Sequence, residues 1–334
     1  MITLMADLPI IGITVGDPAG IGPEISLKAL AAGDLQTVCR PVLIGDLDHL
    51  RSEALRFRIG RGLVPFGSDN QPDGIEVIDL ANIDDPIEPG VESAITGRAS
   101  AQFILRAVEL WQQNVIDAIC TAPISKNALK MAGFHYPGHT EFLAELTGTS
   151  RFAMSFFAEK LRVVLLSTHL SLRDAIDRVR TEPLADLIRF SDSALADLIG
   201  RRPKIAVAGL NPHASEGGMF GTEEHDEIAP AIGRCEAEGI EVSGPYSPDT
   251  IFLRGYRGDF DLVVACYHDQ ATIAVKSLSF GSSVNVTLGL PLIRTSVDHG
   301  TAFDIAGRGI ADESSLKAAV RLAAELVRTK RGNL

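Results

Sequence analysis

The chain of 334 residues is 46% hydrophobic and 22% charged, a balance that predicts a globular protein large enough for two domains. Its net charge of −12 excludes a general nucleic-acid binder, because phosphate contacts need a basic surface. No apolar stretch approaches the roughly 18 residues of a membrane span, and the N-terminus lacks the basic start of a signal peptide. The four cysteines include no CxxC pair, which is typical of reduced thiols, so we expect a cytoplasmic protein.

Short apolar runs alternate with longer segments of helical periodicity along the chain. The runs predict strands at 10–15, 41–45, 118–120, 161–167, 204–210 and 261–266. Helices are predicted at 98–114, 183–199, 226–238 and 313–330. The segment 68–96, rich in Asp, Pro and Gly, is predicted to form surface loops. This alternation predicts an α/β fold with a largely parallel sheet, which two lobes share because no linker is evident.

Three of the predicted strands are each followed by a histidine, namely His169, His213 and His268. Ligands bind open α/β sheets outside the carboxyl ends of the strands. Three neutral imidazoles with an open fourth position suit Zn²⁺ or another divalent transition metal. The alternative is that these are unrelated polar residues at strand ends, and their wide spacing forms no local motif that would decide between the two.

A basic cluster follows the last of these histidines. Lys276, Asn285 and Arg294 lie close together in the sequence and predict a phosphate clamp. The alternative is solvated surface charge. The stretch "YPGHTEFL" adds His139 and Thr140. Thr140 is a candidate helix N-cap, and the N-terminal end of a helix favours anions.

Glycine-rich loops occur near both ends of the chain. "GDPAGIGPE" contains Gly20 and Gly22, and "DHGTAFDIAGRGIAD" contains Gly300, Asp304 and Ile305. Loops with few bulky side chains allow a nucleotide to approach the backbone closely, although simple turns have the same composition. Neither loop has the GxGxxG spacing of the common dinucleotide fingerprint, so as bare glycine loops they are a weak signal.

Six stretches together resemble one family. "GDPAGIGPE", "YPGHTE", "STHLSLRDA", "NPHASEGGMFGTEE", "YHDQ" and "VNVTLGLPLIRTSVDHGTAFDIAG" resemble, in order and spacing, the PdxA-type 4-hydroxythreonine-4-phosphate dehydrogenases. The resemblance implies a two-lobed α/β/α isocitrate/isopropylmalate dehydrogenase-like fold with an active-site cleft between the lobes. The expected cofactor-side lobe comprises residues 1–140 and 288–334, and the expected metal and dimerisation lobe comprises residues 141–287.

The resemblance also implies roles for individual residues, a homodimer whose active site is shared between subunits, and a small phosphorylated substrate. His169, His213 and His268 match the family's ligands of a divalent metal such as Zn, Mg, Co or Mn. The matching substrate and phosphate contacts are His139, Thr140, Lys276, Asn285 and Arg294. The loops that contain Gly20, Gly22, Gly300, Asp304 and Ile305 resemble the NAD-binding loops of the wider fold.

Two residues depart from the usual family pattern. Ser215 and Ala271 stand where the family commonly has glycine, each beside a metal-matching histidine, so we expect a difference in substrate fit. The stretch "PDTIFLRGYRGDFDLVVACYHDQ" is more similar to the branch that oxidises 4-phospho-D-threonate or 4-phospho-D-erythronate than to the pyridoxine-biosynthetic branch. Another relative oxidises cyclic dihydrodiol dicarboxylates, and that activity stays open.

The implied reaction is oxidation of a secondary alcohol by NAD, with a divalent metal, to a 3-keto acid that decarboxylates. The candidate general bases are Asp249 and Asp269, which lie near the metal-matching His268 in the sequence, and Lys126, which follows the predicted strand that ends at Cys120. Structural roles for all three are the alternative. A hydrolase of small phosphate esters with a metal bound by three histidines, and a catalytically silent binding protein, are the competing functions.

Overall fold

The computed structural model describes residues 8–68, 74–279 and 281–332. Within these residues, no helix is both long enough and apolar enough to cross a membrane. Strands and helices alternate along the chain, so the predicted mixed α/β class is confirmed.

The strands, in chain order, include all six apolar runs that the sequence predicted. They are β1 (Ile10–Thr14), β2 (Arg40–Gly45), β3 (Leu63–Pro65), β4 (Ile75–Asp79), β5 (Ala118–Thr121), β6 (Ala153–Ala158), β7 (Leu161–Leu165), β8 (Ile205–Ala208), β9 (Val242–Tyr246), β10 (Leu262–Ala265), β11 (Val284–Leu288) and β12 (Ile293–Ser296).

The α-helices connect these strands. They are α1 (Gly22–Ala31), α2 (Leu47–Arg56), α3 (Ala94–Gln112), α4 (Lys126–Met131), α5 (His139–Leu146), α6 (Leu172–Asp177), α7 (Thr181–Ile199), α8 (Ala229–Ala237), α9 (Pro248–Arg257), α10 (His268–Ser279) and α11 (Ser314–Gly332). A π-helix, Glu224–Ile228, leads directly into α8.

The chain folds into two compact units. The described residues within Met1–Ser150 and Leu290–Arg328 form the first unit, and those within Arg151–Gly289 and Thr329–Leu334 form the second. The described strands of the first unit lie in the order β3-β4-β2-β1-β5-β12 and pair in parallel. Those of the second lie in the order β11-β6-β7-β10-β8-β9. There β6 is antiparallel to both of its neighbours, and β7, β10, β8 and β9 are parallel.

Parallel pairing brings the carboxyl ends of neighbouring strands to the same edge in each unit. In the first unit, Thr14 of β1 and Ser296 of β12 both pair with Thr121 of β5. In the second unit, Ala265 of β10 pairs with Leu165 of β7, and β8 lies on the other side of β10. The loops that follow these strands therefore start side by side, which is the usual location of ligand sites in such sheets.

Side chains at the helix starts explain where two of the helices begin. Asp46 accepts a hydrogen bond from the backbone N–H of His49 at 2.8 Å and caps α2. Ser93 and Thr96 form a reciprocal capping box at the start of α3. Both arrangements satisfy backbone N–H groups that have no partner within the helix.

One local prediction is wrong, and one predicted helix is present but begins differently. The segment 68–96 contains β4 and the first turn of α3 in addition to loops. The helix predicted at 226–238 instead begins as the π-helix and continues as α8. The strand β4 was missed because the Asp, Pro and Gly residues around it obscure a five-residue run in which apolar residues predominate, Ile75–Asp79.

Candidate active site

The three histidines all lie in the second unit, at the carboxyl ends of neighbouring strands. His169 follows β7, His213 follows β8, and His268 begins α10, which is separated from the end of β10 by Cys266 and Tyr267. The ring centroids of His169 and His268 are 6.2 Å apart. The structure therefore brings these two imidazoles close together, although they are separated by almost one hundred residues in the sequence.

A carboxylate orients one of these imidazoles. Nδ1 of His268 lies 2.7 Å from Oδ1 of Asp269, which leaves Nε2 directed away from that carboxylate. Metal-binding histidines commonly donate their second ring N–H to a carboxylate, which fixes the ring and its tautomer. Asp269 is thus available as a positioning residue as well as a candidate base.

The imidazoles fit a divalent transition metal by donor type. Zn–N bonds of about 2.0–2.1 Å would place two imidazole centroids on a tetrahedral ion roughly 5 Å apart. The centroid distance of 6.2 Å is wider, and within the described part of the chain no three His, Cys, Asp or Glu side chains are already grouped to hold an ion. His169 and His213 are exposed, so rotating their side chains requires no repacking of the core.

His213 lies in a left-handed turn. The φ angles of His213, Ala214, Ser215 and Glu216 are 53°, 51°, 63° and 44°. Residues other than glycine rarely adopt these angles because Cβ approaches the following carbonyl oxygen. Ser215, one of the two departures from the family pattern, is buried within this turn. Glycine would adopt the same angles without that steric cost.

The other departure from the family pattern lies in the core. Ala271 is fully buried in α10, in the same apolar cluster as Ala208 of β8 and Ala265 of β10. A glycine at this position would leave the methyl group's space empty beside the strands that precede His213 and His268. Alanine therefore fills space in this apolar cluster that glycine would leave empty.

Arg294 is a buried cation in the first unit. It lies on β12, is only 4% exposed, and donates a hydrogen bond from Nη2 to Oγ1 of Thr121 at 2.9 Å. Burial lowers its pKa to about 10, which is still high enough for the guanidinium to be charged at neutral pH. A guanidinium has five N–H donors in a planar fork that matches carboxylate and phosphate oxygens. The site thus suits an anion beside Thr121.

His139 contributes a neutral imidazole to the same region. It is the first residue of α5 and is buried. Burial, reinforced by the positive charge of Arg294, holds the pKa of His139 well below its usual range. Its Nε2 has no hydrogen-bond partner within the described residues. A buried polar atom without a partner is costly, so it points to a ligand.

The start of α5 differs from the prediction. The residue at the N-cap is Gly138, not Thr140, which lies inside the first turn and is buried. The backbone N–H groups of this turn carry the partial positive charge of the helix N-terminus. Two independent features therefore favour an anion here, the helix end and the nearby Arg294.

Lys276 and Asn285 lie in the second unit, whereas Arg294 lies in the first. Lys276 is an exposed residue of α10, and Asn285 is a half-buried residue of β11. The three residues are close in sequence, but they do not all belong to the same compact unit. Each offers a side chain able to donate a hydrogen bond to an anion.

Two of the three candidate bases line the same cavity. Asp249 and Asp269, together with Tyr267 and Gln270, face a cavity of about 490 Å³ in the second unit, where the remaining walls are largely apolar. Lys126 is exposed at the first position of α4, in the first unit. The structure thus places the two aspartates on one cavity beside the residues that flank His268, and places Lys126 at the start of α4 in the other unit.

The two glycine-rich loops contact each other in the first unit. The N–H of Ile21 donates to the carbonyl of Thr301 at 3.0 Å. The buried Glu24 accepts a hydrogen bond from the N–H of Ala311 at 2.8 Å. These contacts join the loop after β1 to the loop after β12, so that the two loops form one surface at the carboxyl ends of neighbouring strands.

Gly20 and Gly22 are required by backbone packing. A Cβ atom on Gly22 would lie 2.1 Å from the carbonyl oxygen of Val15, and one on Gly20 would lie 3.0 Å from that of Thr301. A side chain at Gly22 would therefore displace the loop from the strand. The glycines have this structural role whether or not a cofactor also contacts them.

The second loop offers exposed groups to a cofactor. Gly300 has open space where its Cβ would be, and Asp304 is exposed. Ile305 is half-buried, and its N–H donates to the carbonyl of Ala302 in a turn. The loop is therefore accessible to a dinucleotide, with one carboxylate available for a ribose hydroxyl.

Asp17 was not assigned a role from the sequence. It is fully buried after β1, and its Oδ1 accepts a hydrogen bond from the N–H of Ala19 at 2.9 Å. Its own N–H donates to the carbonyl of Pro123, after β5. Burial raises its pKa to about 6, and Glu92 adds to the shift while hydrogen bonds from Ala19 and Thr96 oppose it. The only sequence signal was its place in "GDPAG", which does not reveal burial.

Comparisons with known proteins agree with this fold. Residues 37–323 match the model of the family described as "Pyridoxal phosphate biosynthetic protein PdxA". D-threonate 4-phosphate dehydrogenase of Cupriavidus necator is 48% identical over 96% of this chain and 97% of its own. The crystal structure of a 4-hydroxythreonine-4-phosphate dehydrogenase from Burkholderia phymatum is 46% identical, covers 96% of this chain and 98% of its own, and has a TM-score of 0.84.

A more distant relative has a different substrate in its name. The crystal structure of a terephthalate 1,2-cis-dihydrodiol dehydrogenase from Burkholderia xenovorans is 30% identical, covers 95% of this chain and 97% of its own, and has a TM-score of 0.63. All three of these similar proteins are named dehydrogenases, and this similarity places the chain in a class of oxidoreductases. The chain belongs to the PdxA family, and the resemblance seen in its motifs is confirmed.

We expect Asp17→Asn to change how stability depends on pH. The folded-state pKa of about 6 lies above the ordinary 3.8, so the wild type loses stability as the carboxyl ionises between those values. Asparagine keeps an acceptor for Ala19 but does not titrate. The unfolding free energy of the variant relative to wild type should rise by about 2–3 kcal/mol from roughly pH 4 to pH 7. Urea unfolding across this range measures it, and parallel curves would contradict the expectation.

We also expect Ser215→Gly to stabilise the protein. The substitution relieves the left-handed strain at φ 63° but increases the freedom of the unfolded chain, for a net gain of about 0.5–1 kcal/mol. Urea unfolding at constant pH measures the change. Ser247→Gly is the control. Ser247 has a φ of −54°, so glycine relieves no strain there and should only destabilise the protein. A loss of stability in both variants would show that the turn is not strained at Ser215.

Proposed function

We propose that the protein is an NAD-dependent and metal-dependent dehydrogenase of a phosphorylated C4 hydroxy acid. The substrate class is 4-phospho-D-threonate, 4-phospho-D-erythronate or 4-phosphohydroxy-L-threonine, and the product is a 3-keto acid that decarboxylates. Two of the three relatives named above have a phosphorylated C4 compound in their names. The observation that carries the proposal is the buried Arg294 beside His139, whose buried Nε2 has no described partner.

The anionic end of the substrate would be bound by Arg294, His139 and Thr140. The guanidinium remains charged because its pKa of about 10 is well above neutral. The lowered pKa of His139 keeps its imidazole neutral, so that it can donate one hydrogen bond without adding a second positive charge. Lys276 and Asn285 are the further substrate contacts of the proposal, as a point charge and as a neutral donor.

His169, His213 and His268 would hold the divalent metal. When bound, such an ion supplies Lewis-acid stabilisation of negative charge that develops on the substrate's alcohol oxygen. The chain's own contribution is orientation, since Asp269 fixes the ring of His268 through Nδ1. Nothing in the donor set distinguishes Zn²⁺ from Co²⁺ or Mn²⁺, whereas Mg²⁺ prefers oxygen ligands.

Asp249 and Lys126 are the proposed candidates for the base that removes the alcohol proton. Asp269 is already engaged with His268, which favours a positioning role for it. The carboxylate of Asp249 accepts a hydrogen bond from Ser247 and lines the cavity that Asp269 also faces. A carboxylate in that position is suited to accept a proton from a bound alcohol.

NAD is the proposed cofactor, bound at the loops that contain Gly20, Gly22, Gly300, Asp304 and Ile305. When bound, NAD would supply the acceptor for the hydride that the oxidation of the alcohol releases. The exposed Asp304 is suited to accept hydrogen bonds from ribose hydroxyls, and it would repel the 2′-phosphate of NADP. The proposal therefore favours NAD over NADP.

The proposal extends to the assembly and location of the protein. We propose a homodimer in the cytoplasm whose two subunits share the active sites. The four cysteines are all buried and free, which supports a reducing compartment. A dihydrodiol carboxylate is the less favoured substrate, because the relative with that name is 30% identical, against 48% and 46% for the relatives with phosphorylated substrates.

An NADH-formation assay tests the proposed function directly. Each of the three phosphorylated acids is offered with NAD, before and after removal of metal by a chelator, with D-threonate as the unphosphorylated control. We expect one phosphorylated acid to reduce NAD, chelation to abolish turnover, and a divalent transition ion to restore it. Phosphate release without NAD would support the hydrolase instead, and turnover that chelation leaves intact would remove the metal from the mechanism.

Arg294→Lys tests the anion site. Lysine keeps the charge but loses the planar fork, and a hydrogen bond to a charged group contributes about 1.5–3 kcal/mol, so KM for the phosphorylated substrate should rise about 10- to 100-fold. The matched control is Arg106→Lys on the exposed face of α3, where Arg106 pairs only with Glu109 among the described residues. Steady-state kinetics of wild type and both variants measure this change. A KM of Arg294→Lys equal to that of wild type and of Arg106→Lys would exclude Arg294 from substrate binding.

A further inference from the structure

The turn that carries His213 is left-handed over six successive residues. The φ angles are positive from His213 to Gly218, and only the last two of these residues are glycines. A run of this kind is sterically unfavourable for the other four residues. Such a turn persists only when surrounding contacts hold it in place.

A buried carboxylate holds the backbone that leads into the turn. Oε1 of Glu224 accepts hydrogen bonds from the backbone N–H groups of Leu210 at 2.8 Å and Asn211 at 2.7 Å. Its Oε2 accepts a third from the side-chain amide of Asn211 at 2.9 Å. Glu224 is only 3% exposed, so these charge-assisted hydrogen bonds are shielded from water.

The position of Glu224 depends on an uncommon helix. It is the first residue of the π-helix Glu224–Ile228, and single π-turns of this kind occur frequently at functional sites. The carboxylate lies against Gly209, where an added Cβ would be 3.1 Å from Oε1. The absence of a side chain at Gly209 therefore lets the carboxylate approach the backbone at the end of β8.

A second residue connects the same backbone to the His268 region. Nε2 of Gln270 donates to the carbonyl of Gly209 at 2.8 Å, and its Oε1 accepts from the N–H of Cys266 at 2.7 Å. Gln270 is two residues after His268 in α10. The start of the His213 turn is thus held from both sides, by Glu224 and by Gln270.

We infer that Glu224 is a positioning residue that holds the left-handed turn and thereby sets the affinity of His213 for the metal. It acts through the N–H groups of Leu210 and Asn211, without contact with the ion. The inference rests on the proposed function in one respect, the assignment of His213 as a metal ligand. Removal of groups that hydrogen-bond a metal ligand directly typically changes metal affinity by about 10- to 100-fold, and we expect an effect of that size here because loss of Glu224 would release the backbone two residues before His213.

Glu224→Ala tests the inference against a matched control, Glu223→Ala. Glu223 also accepts a hydrogen bond from the Asn211 amide, at 2.7 Å, but among the described contacts it has none with the backbone at 210–211. Calorimetric titration with Zn²⁺ and Co²⁺ should give affinity about 10- to 100-fold weaker for Glu224→Ala, and nearly unchanged affinity for Glu223→Ala. The visible absorption of the Co²⁺ protein should change only in Glu224→Ala.

Hydrogen exchange in the metal-free protein gives a second measurement. Amides of residues 210–218 should exchange faster in Glu224→Ala than in wild type and Glu223→Ala, while the strands stay protected. Glu224→Gln keeps an oxygen acceptor for both N–H groups, so it should restore protection and most of the affinity. If Glu224→Ala does not fold, Glu224→Asp replaces it, because the shorter side chain cannot reach both N–H groups.

The possible outcomes separate this inference from the proposed function. Wild-type protein that binds neither ion would contradict the proposed metal site. Wild-type affinity in Glu224→Ala, or in Glu224→Asp if that variant replaces it, would overturn the positioning role even though the metal site stands. If Glu224→Gln binds the ions as weakly as Glu224→Ala or its replacement Glu224→Asp, the positioning role would also be overturned. The loss of affinity would then not depend on the hydrogen bonds to Leu210 and Asn211. Unchanged amide exchange at residues 210–218 in the metal-free Glu224→Ala variant, or in Glu224→Asp if it is used instead, would overturn the positioning role independently of metal binding.

Discussion

The parallel pairing of β7, β10 and β8 is the constraint on which the arrangement of the histidines depends. Because these strands run side by side in the same direction, the loops after them start at one edge of the sheet. His169 and His268 come from segments far apart in sequence, and the 6.2 Å between their rings is a consequence of the pairing of β7 with β10. The same relation holds in the first unit, where β1, β5 and β12 bring Asp17, the Pro123 loop and the second glycine-rich loop to one edge.

Burial in the first unit affects its ionisable groups in different ways. Arg294 retains its charge because its lowered pKa is still about 10, so it is a permanent cation suited to a phosphate. His139 is neutral because burial lowers its pKa. Asp17 has a pKa of about 6, so its charge responds to pH near the physiological range. Burial in the first unit therefore leaves Arg294 charged, makes His139 neutral and gives Asp17 a charge that depends on pH.

The second unit combines strain with the contacts that resist it. The turn from His213 to Gly218 adopts angles that four of its residues disfavour, and Glu224 supplies the hydrogen bonds that hold its start. Strain at binding loops is common, because the side chains that bind a metal or substrate must be held in one orientation before it arrives. Ala271 lies in the apolar cluster that includes Ala208 at the end of β8 and Ala265 at the end of β10, so the strands that precede the His213 and His268 segments end in a packed core.

The sequence alone determined the strands β1, β2, β5, β7, β8 and β10 as apolar runs, and the ordered motifs determined the family. It did not reveal the other six described strands, among them β4 within its polar surroundings and β9, where Gly244 and Pro245 are poor strand formers. The residue types at the candidate site were also evident from the motifs. Only the tertiary structure decided the burial and pKa of Asp17 and the contacts of Glu224 with Leu210 and Asn211. These properties arise from groups that folding brings together across long stretches of chain, and local sequence patterns contain no information about such distances.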